Sequence, residues 1–372
     1  MPVRCLGAGG DATAESPRRT KPVHDEPRRQ NVVAAHPSAD GDALLDWNES
    51  PIGPPPLAVK RVVDAADRLH RYPRGLLEEV TALAAAHHGV ATDQVLLMAG
   101  VDEAIDMTLS LADRAFGLVP GFDGYPDRAA ANGKAFHPIP LDADWQPRVG
   151  VPAGLGSDDI VYLAQPGNPT GNLLSPAWID TLRETAGYVF VDETYQEFSS
   201  QPGILARTGG PQPGLLVYRS FSKAAGLAGI RLGCLVAEAR VIARLEPLRR
   251  FMPIDAVSLH AAAGLLEEPA FMTRLAHYVR EGRAELCGLL RGSGLFAEVR
   301  ESETNFVLAR PDASVHAALA AVLAEDGVRV RDCSGVGLAG WLRISVGTPE
   351  DHDRLGHSLD RLARSHAERA AA

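Results

Sequence analysis

Residues 160–171 read Ile160-Val161-Tyr162-Leu163-Ala164-Gln165-Pro166-Gly167-Asn168-Pro169-Thr170-Gly171, an apolar run that breaks into a turn of Pro, Gly and Asn. A run this short is strand-length, and the turn formers fix where it stops. The same grammar recurs along the chain. Val95-Leu96-Leu97-Met98 leads into Ala99-Gly100-Val101-Asp102-Glu103, Val189-Phe190-Val191 into Asp192-Glu193-Thr194-Tyr195, and Leu215-Leu216-Val217-Tyr218 into Ser220-Phe221-Ser222-Lys223. Helical stretches such as Ala177 to Thr185 alternate with these runs. Continuous apolar runs are what strands buried on both faces require, and their alternation with helices marks an α/β fold with a mostly parallel central sheet. Ligands of such sheets bind beyond the carboxyl ends of the strands. Gly100, Asn168, Asp192, Tyr195, Ser220 and Lys223, far apart in sequence, are therefore expected to converge on one crevice.

The flanks differ in texture. Residues 1–40 are rich in Pro, Arg, Gly, Asp and Ala without an apolar period, which predicts a disordered arm. From Leu44 to Pro54 the prolines forbid helix and predict an extended segment lying across another surface. A helix is expected from Leu57 to His70, with Val59, Val62, Val63, Ala66 and Leu69 on one face. The Gly- and Pro-rich residues 203–214 read as a surface loop. After Glu238 the pattern turns helical, with an amphipathic stretch from Ala270 to Leu290, then strand-like Asn305 to Leu308 and Trp341 to Val346. This mixed order predicts a smaller α+β domain. The expected division is an arm over 1–40, a segment over 41–70 packing with the small domain, a large domain over 71–255 and the small one over 256–372.

Composition bounds the function. The 372 residues are 45% hydrophobic and 23% charged, which excludes collagen-like and wholly disordered chains. Lys and Arg number 37 against 47 Asp and Glu, a net charge of −10, so nothing global invites nucleic acid or an anionic membrane. Any anion site must be built locally. No apolar stretch approaches the roughly 20 residues of a membrane span, and the first residues lack a signal-peptide core, so a cytoplasmic location is expected. Cys5, Cys234, Cys287 and Cys333 form no C-x-x-C pair, arguing against a zinc knuckle or a disulfide framework. His87 and His88 are neighbours that point about 100° apart on a helix, and no metal site is expected.

A lysine just past a strand is, alone, a surface residue, but Lys223 has company. Ser220, Ser222 and Arg231 offer hydroxyls and a guanidinium fork, and Gly100 with the amides opening the next helix offers a second anion cradle. Asp192 alone would be a turn former. If Lys223 forms a Schiff base with an aldehyde cofactor, a carboxylate beneath its pyridine ring would keep the ring nitrogen protonated and make the ring an electron sink. Asn168 and Tyr195 would then hydrogen-bond the phenolic oxygen. Pyridoxal 5'-phosphate satisfies all of these positions.

On Asn48-Glu49-Ser50-Pro51-Ile52-Gly53-Pro54, Arg71-Tyr72-Pro73, Gly100-Val101-Asp102-Glu103, Pro166-Gly167-Asn168-Pro169-Thr170-Gly171, Asp192-Glu193-Thr194-Tyr195, Ser220-Phe221-Ser222-Lys223 and Leu342-Arg343-Ile344-Ser345-Val346-Gly347, the chain resembles the fold-type I, class I/II aminotransferases. It is most similar in pattern to their histidinol-phosphate aminotransferase group. The resemblance implies that Lys223 bonds the cofactor and moves the substrate proton, that Asp192 pairs with the ring nitrogen, and that Asn168 and Tyr195 contact the phenolic oxygen. It implies further that Val101, Asp102, Ser220, Ser222 and Arg231 hold the cofactor phosphate, and that Tyr72 reaches the phosphate of a neighbouring subunit in a homodimer. Phe122, in Pro120-Gly121-Phe122-Asp123-Gly124-Tyr125, takes the place of the ring-stacking aromatic. Arg343 matches the arginine for a substrate carboxylate or phosphate, Arg331 resembles the second substrate-anion arginine, and Asn48 falls on the substrate side. The implied reaction is transamination between an amino acid or amino-acid-derived amine, phosphorylated in the histidinol-phosphate group, and a keto acid or aldehyde. Threonine-phosphate decarboxylases and enzymes that cyclise or oxidise arginine-type amino acids share the scaffold, so decarboxylase, lyase, cyclase or oxidase chemistry is the alternative. A cofactor-binding sensor is disfavoured, because the N-terminal residues are too short for a winged helix.

Overall fold

Two sheets organise the chain, and the computed structural model describes residues 41–371. The strands are β1 (Ala43–Leu45), β2 (Val95–Met98), β3 (Arg114–Val119), β4 (Ala135–Pro140), β5 (Asp159–Ala164), β6 (Tyr188–Asp192), β7 (Leu215–Ser220), β8 (Gly233–Val236), β9 (Phe296–Val299), β10 (Phe306–Pro311), β11 (Val328–Asp332) and β12 (Leu342–Ser345). The larger sheet runs β2-β8-β7-β6-β5-β3-β4. All its pairings are parallel except those of β8, which runs antiparallel to both β2 and β7. Residues that alternate along the strands enter two different apolar clusters. Val161, Val189, Val191 and Val217 pack on one face, while Ile160, Tyr162, Phe190 and Leu216 pack on the other. Burial on both faces is why these strands read as unbroken apolar runs.

The reversed strand brings the site together. Ser220 at the end of β7 pairs with Gly233 at the start of β8, and Gly233 in turn pairs with Met98 at the end of β2. The loop from β7 to β8 therefore returns Arg231 beside Ser220 and beside the Gly100 turn. Gly233 has to lack a side chain, since a Cβ there would lie 2.1 Å from the Tyr218 hydroxyl.

The second sheet runs β1-β11-β12-β10-β9, with β1 parallel to β11 and the remaining pairs antiparallel. Its outer strand β1 comes from the start of the described chain, so the Pro-pinned segment after Leu45 is stretched from this sheet toward the larger one. Register places Arg331 of β11 directly opposite Arg343 of β12.

Three expectations need correction. The first helix spans Pro56–Ala65, followed by a short turn of 3-10 helix, and its buried residues are Ala58 and Ala65. Val59, Val63 and Leu69 are exposed instead. Small residues face inward because Gly264 of helix Ala256–Glu267 presses on the backbone of Ala58, a fit that valine would block. The 203–214 stretch contains a short helix, Ile204–Thr208, anchored by the buried Ile204, whose amide donates to Glu193 Oε1 at 2.5 Å. The strands β1, β3, β4, β8, β9 and β11 come in addition to those the apolar runs predict. Residues 1–40, read as a disordered arm, lie outside the described residues.

Candidate active site

The carboxyl ends of β2, β5, β6 and β7 open into a cleft of about 570 Å³, closed on its far side by β11 and β12. Among the predicted residues, all but Gly100, Asp102 and Tyr72 line it. At one end Gly100 turns with φ +86°, which a side chain rarely adopts, and a Cβ there would sit 3.0 Å from Arg231 Nη2. Helix Val101–Leu109 starts here, and its opening amides have no side-chain cap. Arg231 is itself held in the left-handed region at φ 50°. Its Nη1 donates to Ser222 Oγ at 3.5 Å, its Nη2 lies 4.0 Å from Asp102 Oδ2, and the Ser222 amide donates to Ser220 Oγ at 3.1 Å. Free helix amides, two hydroxyls and a guanidinium around one glycine turn make a phosphate cradle.

Asp192 ends β6 and Glu193 follows it, still extended with its amide donating to the Tyr218 carbonyl at 2.9 Å, so the two side chains point to opposite faces. Glu193 is buried away from the cleft against Arg219, whose Nη1 donates to it at 2.7 Å. Asp192 is left to the cleft. Burial pushes its pKa up, and three donors oppose that shift. They are the Thr194 amide at 3.0 Å and Thr194 hydroxyl at 2.5 Å on Oδ1, and the Tyr125 hydroxyl at 3.1 Å on Oδ2. Tyr125 is fully buried and its pKa is raised well above the usual value, so it stays a donor.

Tyr195 is buried, and its hydroxyl accepts from Asn48 Nδ2 at 2.9 Å, which leaves the phenolic proton to be donated elsewhere. Asn48 takes the left-handed φ of 55° that asparagine tolerates better than most residues. Its Oδ1 accepts from the Ser345 hydroxyl at 3.1 Å and its carbonyl from Asn305 Nδ2 at 3.0 Å. Asn48 therefore ties Tyr195 to β12 and to the residue just before β10. Asn168 Oδ1 accepts from Arg343 Nη1 at 2.7 Å, which leaves the Asn168 Nδ2 as a donor. Phe122 lines the cleft and meets Tyr125 edge to face, with ring centroids 5.3 Å apart.

Lys223 stands at the centre, its Nζ donating to the Trp47 carbonyl at 2.7 Å. Burial, helped by the charge of Arg343, pushes its pKa down to about 8. That makes it a nucleophilic amine near neutral pH. Arg343 also donates to the Asp46 carbonyl at 2.6 Å and lies over the Phe306 ring at 5.3 Å, while Arg331 meets Asp123 at 3.8 Å. Tyr72 is 69% exposed and away from this cleft.

Thr194, Tyr125, Tyr218 and Trp47 escaped the sequence reading as site residues. Thr194 had a usable signal, because a Thr two residues after a strand-end Asp is the ordinary partner of an Asx-type turn. Tyr218 sits in an apolar run where an aromatic reads as core, and Tyr125 lies in the first turn of helix Gly124–Ala131, where its bond to Asp192 depends on how that helix packs. The residues present fit pyridoxal 5'-phosphate: a lysine amine near neutral pKa, a buried carboxylate, two donors for a phenolic oxygen, and a glycine turn that a Cβ would fill.

The model of the family "Aminotransferase class I and II" matches residues 41–359. A histidinol-phosphate aminotransferase of Symbiobacterium thermophilum is 32% identical over 85% of this chain and 89% of its own length. A crystal structure from Burkholderia pseudomallei superposes with a TM-score of 0.79 at 34% identity, covering 87% of this chain and 98% of that one. The histidinol-phosphate aminotransferase of Sinorhizobium meliloti, solved with pyridoxal-5'-phosphate, shares the fold with a TM-score of 0.74 at 23% identity, covering 87% and 92%. The chain belongs to the class I and II aminotransferases, and pyridoxal 5'-phosphate is its cofactor.

Proposed function

We propose that this cleft transaminates an α-amino acid or a closely related amine whose anionic group rests on Arg343, with the acceptor keto acid or aldehyde binding the same way in the return half of the cycle. The observation that carries the reading is the placement of Lys223 in one cleft with the buried Asp192 and the Arg343 fork, where burial and the Arg343 charge lower its pKa. When bound, the cofactor supplies an aldehyde and a ring that withdraws electrons from the donor's α-carbon. Lys223 would hold the cofactor through its aldehyde, and its amine, once free, would be the group placed to move the proton at the donor's α-carbon. Asp192, which accepts from Thr194 and Tyr125, would pair with the ring nitrogen and keep a proton on it. Asn168 and Tyr195 donate to the phenolic oxygen, and Asn48 acts by positioning Tyr195. Ser220, Ser222, Arg231 and the amides of Val101 and Asp102 hold the phosphate, while Phe122 covers the ring face.

Tyr72 serves the neighbouring site of a homodimer on this reading, since it lies exposed and remote from its own cleft. Among the described residues no helix is long and apolar enough to cross a membrane. Histidinol phosphate, named by the relatives, is one donor to assay beside common amino acids.

The test is an absorbance scan of cofactor-loaded protein mixed singly with glutamate, glutamine, arginine, aspartate and histidinol phosphate, with products read by mass spectrometry. A donor that converts the lysine-bound band to the aminated cofactor and leaves a keto or aldehyde product is expected. Lys223→Ala should abolish both the band and the conversion. Release of carbon dioxide or peroxide in place of an aminated cofactor would overturn the reading.

A further inference from the structure

Building on the transamination reading, we propose that Asp123 sets the substrate class of this site: by occupying Arg331 it selects donors with an uncharged, hydrogen-bonding far end and rejects donors that carry a phosphate.

The argument begins with register. Arg331 and Arg343 face each other across the antiparallel strands β11 and β12, which puts both side chains on one face. Both line the cleft, so its far wall presents two guanidiniums side by side. Directly opposed like charges repel. Each is answered differently. Arg343 gives Nη1 to Asn168 Oδ1 and Nη2 to the Asp46 carbonyl, both neutral groups, and so keeps its positive charge for a ligand. Arg331 has a full negative charge as its partner, with Nη2 at 3.8 Å from Asp123 Oδ2.

Asp123 stands at the N-cap of helix Gly124–Ala131, where aspartate usually accepts from the helix amides. Its side chain makes no such bond. It follows Phe122 and lines the cleft, where it faces Arg331, each side chain about half exposed at 50%. A ligand therefore meets both charges. The wall carries one uncompensated positive charge, at Arg343, and beside it a neutral pair with one accepting and one donating edge.

A single carboxylate on Arg343 neutralises this wall. A group such as a carboxamide or a urea would then donate its N–H to Asp123 and accept from Arg331. A phosphate needs both arginines to balance its charge, and to reach Arg331 it must displace Asp123 and remain close to it. That like-charge contact is screened only in part at a half-exposed site, and its effect on binding is on the order of tenfold.

The experiment uses cofactor-loaded wild type, Asp123→Asn, and Asp123→Asn combined with Arg331→Gln. Dissociation constants of O-phosphoserine, histidinol phosphate, glutamine and citrulline are measured by calorimetry, and half-reaction rates by the cofactor absorbance. Wild type is expected to bind the neutral amino acids more tightly than the phosphorylated amines. Asp123→Asn is expected to shift the ratio toward the phosphorylated ligands by about tenfold, and Arg331→Gln to cancel that gain. Tighter binding of the phosphorylated ligands by wild type, no detectable binding of any neutral amino acid, or a ratio moved less than about threefold in Asp123→Asn would overturn the proposal. The two readings separate cleanly. A shifted binding ratio with no donor converted refutes transamination and leaves the Asp123 assignment standing, whereas conversion with an unmoved ratio does the reverse.

Discussion

Lys223 shows how a fold changes the chemistry of one residue. An ordinary lysine has a pKa near 10.4 and is about a thousandth free amine at pH 7.5. Burial and the Arg343 charge bring Lys223 down to about 8, so roughly a quarter is free amine at the same pH. The free amine is the form that attacks an aldehyde. Cofactor uptake by the cofactor-free protein should therefore rise with pH only until about pH 8 and then level off. Stopped-flow absorbance across pH 6 to 11 checks this, and a rate still climbing at pH 10 would contradict it. Arg343→Gln should move the plateau upward, because it removes a positive charge that disfavours the ammonium form. The sequence singles out Asp192 because it ends an apolar run, and Lys223 because Ser220, Ser222 and Arg231 stand near it just past another. What they need from Thr194, Tyr125 and Asn48 was not legible there, because those contacts depend on loop geometry and on a register between distant strands.

Among the elements, legibility followed burial. β2, β5, β6 and β7 stand out as apolar runs because both their faces are covered. β4 reads Ala135-Phe136-His137-Pro138-Ile139-Pro140 and lies at the sheet edge, the one place where prolines are tolerated, so its pattern is broken. The first helix misled for a different reason. Its valines suggest an inward face, yet the close approach of Gly264 to Ala58 requires small residues there, with a Cβ on Gly264 meeting the Ala58 backbone at 2.6 Å. Backbone cannot move aside as a flexible side chain can. Gly264→Ala should thus force the two helices apart and destabilise the fold by about 1–3 kcal/mol. Thermal melting should show a midpoint lowered by several degrees, whereas Gly288→Ala, with open space around it, should stay near wild type. Equal melting of the two variants would show that the helices tolerate the extra methyl.

For the whole molecule, the exposed apolar residues form a pattern that single-chain packing does not use. Val59, Val63, Leu69 and Tyr72 lie on and just after the first helix, and Leu248, Phe251, Met252 and Val257 lead into the helix packed against it. Phe251 is 87% exposed and Tyr72 is 69% exposed, while each active cleft lacks an aromatic from Tyr72 of its own chain. A second copy covering this region would bury the patch and deliver Tyr72, and a two-fold dimer does so reciprocally. The first helix packs on the helix Ala256–Glu267. Subunit mixing tests the arrangement. Lys223→Ala removes the amine of a chain's own site, and Tyr72→Ala would remove the contact proposed to reach its neighbour. Each variant alone should be impaired. After unfolding and refolding together, about half of the dimers would be hybrids, each with one site that has both Lys223 and Tyr72, so activity should return to about a quarter of the wild-type value. Sedimentation would confirm the dimer. No gain on mixing, with both variants sedimenting as dimers, would mean that Tyr72 does not cross to the other subunit.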